Sequence, residues 1–233
     1  MQNEWNDSCC GRPRLDLETI LSAILFRLRE GCSWRALSIF ASYTTIYGWW
    51  KKWSDSGLWD EIFSEVSEDP AGKLWGIDST CSKVHKHALS DSQSPDNECI
   101  GRTRGGANTK THALVDVKGR PLRIILSSGK SHDSLFGEAL VDGYTDRFIL
   151  ADKAYDSDAF RAWLRENGLE ACIPPKANRK IPENYHKGFY KKRHYVENFF
   201  QKIKEFRSVA TRYEKLDSRF RSFVVLAAIF SWI

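Results

Sequence analysis

Leu17, Ile20, Leu21, Ile24, Leu25 and Leu28 recur at the spacing of one helix face, and Gly31 closes the run. Residues 34–40 suggest a second, short helix. The stretch ASYTT (41–45) then offers a turn and a Ser/Thr cap before IYGWWKKWSDSG, so residues 16–65 read as helical throughout. After Asp69-Pro70-Ala71-Gly72, a boundary signal, the period changes from helix to strand. Residues 73–84 (KLWGIDSTCSKV), 110–118 (KTHALVDVK) and 121–127 (PLRIILS) predict strands, the last two joined at Lys118-Gly119-Arg120 as a hairpin. A short helix is expected over 133–141 and an apolar strand over 147–152, ending in a carboxylate. Ser157 caps a helix that Gly168 stops; a last strand covers 169–174 and a long helix 190–207. Residues 85–109, rich in Ser, Asp, Asn and Gly, read as a loop. The pattern predicts an α/β fold, a mixed sheet with helices on its faces. A helical region at 1–69 precedes a sheet domain at 70–233.

Composition adds ample core material, since 42% of the 233 residues are hydrophobic and nine are Trp. The run FVVLAAIFSWI at 223–233 is too short to cross a bilayer and reads as the end of a core helix. MQNEWNDSCCGRPR carries no apolar secretory core, so a cytoplasmic, nucleoid-associated location without a membrane is expected. Cys9, Cys10, Cys32, Cys81, Cys99 and Cys172 form no C-x-x-C pair, which argues against a zinc ribbon or a disulfide framework and for buried free thiols. The net charge is +5, but residues 183–221 alone hold eleven Lys/Arg against five Asp/Glu, more positive charge than the whole chain. Such a concentration suits a polyanion, although a solvated basic helix face would look the same.

Charge and pattern together locate candidate chemistry. Helix, short helix, turn and a basic aromatic helix carrying Lys51 and Lys52 is the layout of a helix-turn-helix, whose last helix enters a major groove; an ordinary three-helix bundle is the competing reading. Cutting a phosphodiester requires charge stabilisation on the attacking and leaving oxygens, which two hard cations roughly 4 Å apart provide from a few carboxylates. Asp78 lies within the first strand, Asp152 where the strand FILAD runs out, and Glu197 on the long helix. Open α/β sheets bind ligands at that strand end. Tyr190, Arg193, Glu197 and Lys204 follow the spacing Y-x2-R-x3-E-x6-K, which at ~100° per residue puts all four within about 60° on one helix face. Val196, Phe199, Phe200, Ile203 and Phe206 form the opposing apolar face. Glu197 is then a candidate metal ligand and Arg193 and Lys204 candidate phosphate contacts; a plain amphipathic helix with an i,i+4 Arg193–Glu197 pair is the alternative.

That spacing resembles the signature of the bacterial insertion-sequence transposases with a DDE triad, and several blocks are similar to the insertion sequence five group in particular. They are IDSTCSKVHKHA with Asp78, GRTRGGANTKTHALVD (101–116), ILADKAYDSDAF with Asp152, IPPKANRK (173–180) and YKKRHYVENFFQKIKEFRSVATRYEKL (190–216). The stretch GCSWRALSIF…YTTIYGWWKKWSDSG resembles that group's DNA-binding region. The resemblance implies a ribonuclease-H-like catalytic domain in which Asp78, Asp152 and Glu197 ligate two Mg2+ ions, with Mn2+ able to substitute. It further implies that activated water cuts the element ends and that the freed 3′-hydroxyl joins target DNA, without a covalent protein–DNA intermediate. Its partners would be double-stranded DNA, at terminal inverted repeats and target, and a second copy of the chain. Ala154 departs from the group's usual Gly, and a β-carbon there would crowd a turn of positive φ. The segment before Gly11 lacks an early helix common in the group, and only residues 175–189 separate the last strand from the Glu197 helix.

Among the remaining residues, Arg102, Arg104 and Lys110 in a glycine-containing stretch read as a flexible phosphate-gripping loop. His85 and His87 would share a face if the first strand continued, though phosphoryl chemistry prefers oxygen ligands. Lys153 is a further candidate DNA contact. Asp156 and Asp158 suit a helix start, and Tyr190 or Tyr195 as a recombinase nucleophile would leave Asp78 and Asp152 without a use. A nuclease that cuts without joining and a non-catalytic DNA-binding regulator stay open on residues alone.

Overall fold

The structure, a computed structural model, describes residues 15–89, 98–179, 181 and 183–233. Cys9, Cys10, the segment before Gly11 and Lys180 of the IPPKANRK block lie outside the described residues. Helix α1 (Leu17–Glu30) begins where the Asp16 carboxylate accepts from Thr19 N at 2.7 Å and ends at Gly31 in the left-handed region, φ 63°. A 3-10 turn (Trp34–Ile39) follows, then α2 (Tyr43–Asp55) and α3 (Leu58–Val66). The expected basic aromatic helix is α2, ending before Gly57 at φ 76°, and α3 is a separate helix beyond it that the sequence pattern did not resolve.

Strands β1 (Leu74–Val84), β2 (Gly101–Thr103), β3 (Gly106–Val115) and β4 (Pro121–Ser128) come next. Helix α4 (Gly137–Val141), β5 (Arg147–Leu150), α5 (Asp158–Glu166) and β6 (Leu169–Cys172) follow. The chain closes with α6 (Lys187–Tyr190), α7 (His194–Lys204), α8 (Arg207–Ala210), β7 (Thr211–Arg212) and α9 (Asp217–Ile229). The loop expected over 85–109 is corrected in part: its second half is β2 and the start of β3, a polar hairpin held by backbone pairing from Gly101↔Asn108 to Thr103↔Gly106. An exposed edge needs no apolar alternation, so periodicity could not reveal it. The long helix expected over 190–207 is likewise broken: Lys191–Arg193 is a 3-10 turn, and Phe206 is extended between α7 and α8.

The sheet runs β4-β3-β1-β5-β6, antiparallel from β4 to β1 and parallel from β1 to β6. Helices cover both faces, as the α/β pattern led one to expect. Asp116 clamps the β3–β4 turn: buried, it accepts from the backbone N of Lys118 and Arg120, from the Arg120 guanidinium at 2.7 Å, and from Ala71 N. Trp75, Ile77 and Leu114 face one apolar cluster with Leu140, Phe160 and Leu164 of α4 and α5. Ala113, Val115 and Ile124 face the other, which contains α7, α9 and also Ile20, Ile24, Ile46, Trp50 and Phe63 of the N-terminal helices. Trp50 stacks on Phe223 of α9 with ring centroids 4.1 Å apart. The apolar C-terminal run is thus a core helix, buried from Phe220 to Ile229 apart from Arg221. No described helix is long and apolar enough to cross a membrane. The four described cysteines are free, but only Cys172 is buried; Cys81 is exposed, against the expectation of buried thiols.

Candidate active site

Side chains alternate along a strand, so Trp75 and Ile77 enter one core while Gly76 and Asp78 face α7. Val196 of α7 packs over Gly76: a β-carbon there would stand 3.4 Å from the Val196 side chain, an ordinary contact distance. That contact fixes where the neighbours of Val196 fall, and Arg193 and Glu197 come down beside Asp78. The parallel register places the second carboxylate. Gly76 pairs with Leu150, the last residue of β5, and Asp152 lies two residues further on, near enough for its charge to act on Asp78. There β5 has ended, and Asp152 caps the 3-10 turn Lys153–Tyr155 by accepting from Ala154 N at 2.8 Å. Ala154 lies in that turn and is not among the residues of positive φ, so its β-carbon meets no backbone penalty.

Arg193 connects the set. Its Nη1 donates to Asp78 Oδ2 at 2.6 Å and its Nη2 donates to Glu197 Oε1, while Asp78 Oδ1 accepts from Ser79 N at 2.8 Å. Burial, with the charge of Asp152 adding to it, holds the Asp78 carboxyl above its ordinary range against the pull of its hydrogen bonds and of Arg193. The Arg193 guanidinium stands 5.9 Å over the Tyr190 ring, and burial raises the Tyr190 phenol as well. The stripe survives the broken helix because residues three apart across a 3-10 turn eclipse, as Tyr190 and Arg193 do. Lys204, seven residues beyond Glu197 on α7, shares its face.

The donor set suits a hard divalent cation: oxygen ligands only, on a strand, a strand end and a helix. Among the described residues, however, no three His, Cys, Asp or Glu side chains stand close enough to enclose an ion as placed. Arg193 lies between two of the carboxylates and supplies the positive charge there.

Other candidates fall elsewhere. Lys110 alternates with Leu114 onto the far face of the sheet from Asp78, and its ammonium is held by Asp133 and by Ser131 O, both at 2.8 Å; it is no phosphate contact in this arrangement. Arg102 and Arg104 are exposed on the β2–β3 hairpin. Lys51 pairs with Asp55 at 2.7 Å, and Lys52 lies 5.1 Å over the Trp49 ring, both exposed on α2. His85 and His87 do not continue the strand, which ends at Val84; their rings meet edge to face beside Tyr213. Asp158 is an exposed helix-start acid as expected, but Asp156 is a buried hub for Arg161, Arg179 and Lys176 N. Sequence reasoning missed this clasp because its partners are spread over residues 156–179. It also missed Tyr155, whose phenol is fully buried beneath the site without a hydrogen-bond partner and is raised by that burial.

Residues 76–232 match the family model described as "Transposase DDE domain", and residues 1–63 match one described as "Putative transposase of IS4/5 family". A transposase for insertion sequence element IS6501 of Brucella ovis is 38% identical over 128 residues, 54% of this chain and 98% of the relative. One for insertion sequence element IS402 of Burkholderia cepacia is 28% identical over 140 residues, 52% of this chain and 64% of that relative. A solved structure titled "Mos1 transposase paired-end complex with left transposon end" aligns over 97% of this chain and 80% of its own at 12% identity, with a TM-score of only 0.31.

Proposed function

From a chain that belongs to the transposases with a DDE domain, we propose that Asp78, Asp152 and Glu197 are the catalytic carboxylates that cut an insertion element from its flanking DNA. The observation that supports this reading is the Arg193 guanidinium bonded to Asp78 and Glu197 at once, with the charge of Asp152 acting on Asp78.

Enzymes of this family work with divalent metal ions; the oxygen-only donors favour Mg2+, as two ions, with Mn2+ able to substitute. Bound there, the ions supply positive charge to the attacking and leaving oxygens of the phosphodiester. Asp78 and Asp152 hold the sheet side of that site and Glu197 the helix side. Arg193, released from the carboxylates, turns its fork of donors to a phosphate, and Tyr190 and Lys204 extend the contact along the stripe. Arg102 and Arg104 at the hairpin meet the DNA backbone. The N-terminal helices hold double-stranded element ends, the terminal inverted repeats, through α2 with Lys51 and Lys52. The freed 3′-hydroxyl attacks target DNA, so no bond to the protein forms. Joining requires two ends together, which calls for a homodimer on DNA, acting in the cytoplasm at the nucleoid.

The deciding experiment is Mg2+-dependent cleavage of DNA carrying the element's own flanking repeats, with strand-transfer products followed in the same reaction. Glu197→Gln and Asp152→Asn should each lose at least about a hundredfold in cleavage while still binding the DNA. Unchanged cleavage by Asp152→Asn sinks the reading. Cleavage without joined product would make the chain a nuclease instead.

A further inference from the structure

A second candidate site lies away from the carboxylates. Between the 3-10 turn at Trp34–Ile39, the start of α2 and the turn after β7 opens a cavity of about 830 Å3. Its walls carry Trp34, Tyr43, Tyr47 and Tyr213, and its rim carries Arg35 and Lys215, both exposed. The acid in the wall, Glu214, is neutralised by Arg27 at 2.6 Å, and Arg27 itself covers one face of Trp34 at 4.2 Å. Arg219, also in the lining, is bonded to Asp55. The cavity therefore presents aromatic surfaces and a surplus of positive charge. Tyr47 is 39% exposed, and its ring meets Trp34 in a T-shaped contact with centroids 5.0 Å apart.

Aromatic rings beside cations are the pairing that holds unstacked nucleotides, the rings taking base faces and the cations taking phosphates. Ring faces can stack on bases only where those bases are unpaired, so an aromatic lining beside cations favours a single strand over a duplex. Position fits an element end. Strand β1 runs from Asp78 to Val84, where β7 joins it, and six residues at ~3.3 Å put the cavity about 20 Å from the carboxylates. At ~3.4 Å per base that is about six nucleotides from the bond to be cut.

We propose that this cleft takes a single strand of the DNA, base faces against Tyr47 and Tyr213 and phosphates at Arg35 and Lys215. The proposal rests on the transposase reading above and adds a second point of hold on the DNA. It assigns the start of α2 and the β7–α9 turn to one composite surface, so neither the N-terminal helices nor the sheet domain forms it alone.

The test uses the full chain and a fluorescein-labelled twelve-residue oligo(dT), its duplex with oligo(dA), and thymidine monophosphate as competitor. Arg35→Ala with Lys215→Ala should weaken single-strand binding at least tenfold and lower the salt slope by about 1.4, from ~0.7 per phosphate contact. Tyr47→Leu should cost roughly tenfold, and all variants should bind duplex within about twofold of wild type. In the unmodified protein, a strand substituted with 5-iodouracil should crosslink on irradiation to Tyr43, Tyr47 or Tyr213, which frees the test from any folding defect of a variant. Crosslinks mapping elsewhere, variants that bind the strand as wild type does, or full displacement by the mononucleotide would each overturn the proposal. Wild-type cleavage of element-end DNA is measured alongside. Its absence defeats the transposase reading, whereas intact cleavage with undiminished strand binding in the variants defeats the cleft alone.

Discussion

Arg193→Gln removes the one cation that touches two of the three proposed catalytic acids. The Arg193 and Asp78 side chains are 19% and 21% exposed and meet at 2.6 Å. At an effective dielectric of about 20 the gross attraction of such a pair is of order 4–6 kcal/mol, and desolvation of both groups offsets most of it. A net loss of ~1–3 kcal/mol is expected, below the full cost of a completely buried pair, because Glu197 is half exposed and water reaches this side of the site. For a chain of this size that lowers the thermal midpoint by about 3–8 °C in metal-free buffer. The same change removes the competitor for the carboxylates, so millimolar Mg2+ should raise the midpoint of Arg193→Gln more than that of wild type and narrow the gap between them. Differential scanning fluorimetry, with EDTA and with Mg2+ or Mn2+, reads both effects without any turnover. A variant as stable as wild type in EDTA, or a gap that Mg2+ leaves unchanged, refutes the view of Arg193 as an internal counter-ion.

Other outcomes follow from burial elsewhere. His112 is fully buried on Ser127 and Phe136, and burial depresses its imidazole to about 4. Because the unfolded imidazole takes a proton near 6.5, stability is fully present above that pH and falls as pH drops toward 4, by ~2–4 kcal/mol in all. Urea unfolding at pH 7.5 and 5 should show the fall, and His112→Gln should abolish most of this difference; an equal pH response in the variant removes His112 as its source. Asp156→Ala removes the buried carboxylate that Arg161 and Arg179 share and should cost ~3–5 kcal/mol. Limited proteolysis should then open residues 174–186 first, and an uncut variant would contradict the clasp. Trp50→Ala should cost ~3–5 kcal/mol, and because Trp50 stacks on Phe223 of the closing helix the whole chain should still unfold in one transition. Two separate calorimetric transitions would instead give the N-terminal helices a core of their own.

Where apolar spacing is strong, the chain announced its own elements. The helix from Leu17, the strands around Ile77 and Ile124, and the cap at Ser157 needed no neighbour to be legible, because each exposes a period or a hydrogen-bonding side chain local to it. The candidate carboxylates were legible for a related reason: Asp78 and Asp152 end or interrupt apolar runs, and Glu197 stands in an ordered polar stripe. Local pattern could not reveal the β2–β3 hairpin, whose polar edge is held by backbone pairing and by the side chains of Thr103 and Asn108, or the 3-10 turn at Lys191–Arg193.

Tertiary structure alone decided which groups meet. Alternation in β1 and β3 sends Lys110 to the face opposite Asp78, where Asp133 takes it, although charge alone offered it to DNA. Pairing of β1 with β5 brings the charge of Asp152 to bear on Asp78, and the packing of Val196 over Gly76 brings Arg193 between Asp78 and Glu197. The cleft is assembled from residues 27–47, 87 and 213–219, segments with no shared period. Hydrophobic spacing is a property of neighbours along the chain, whereas charge pairing and cavities depend on distances through space, and those exist only once the sheet is in register and the helices are packed on it.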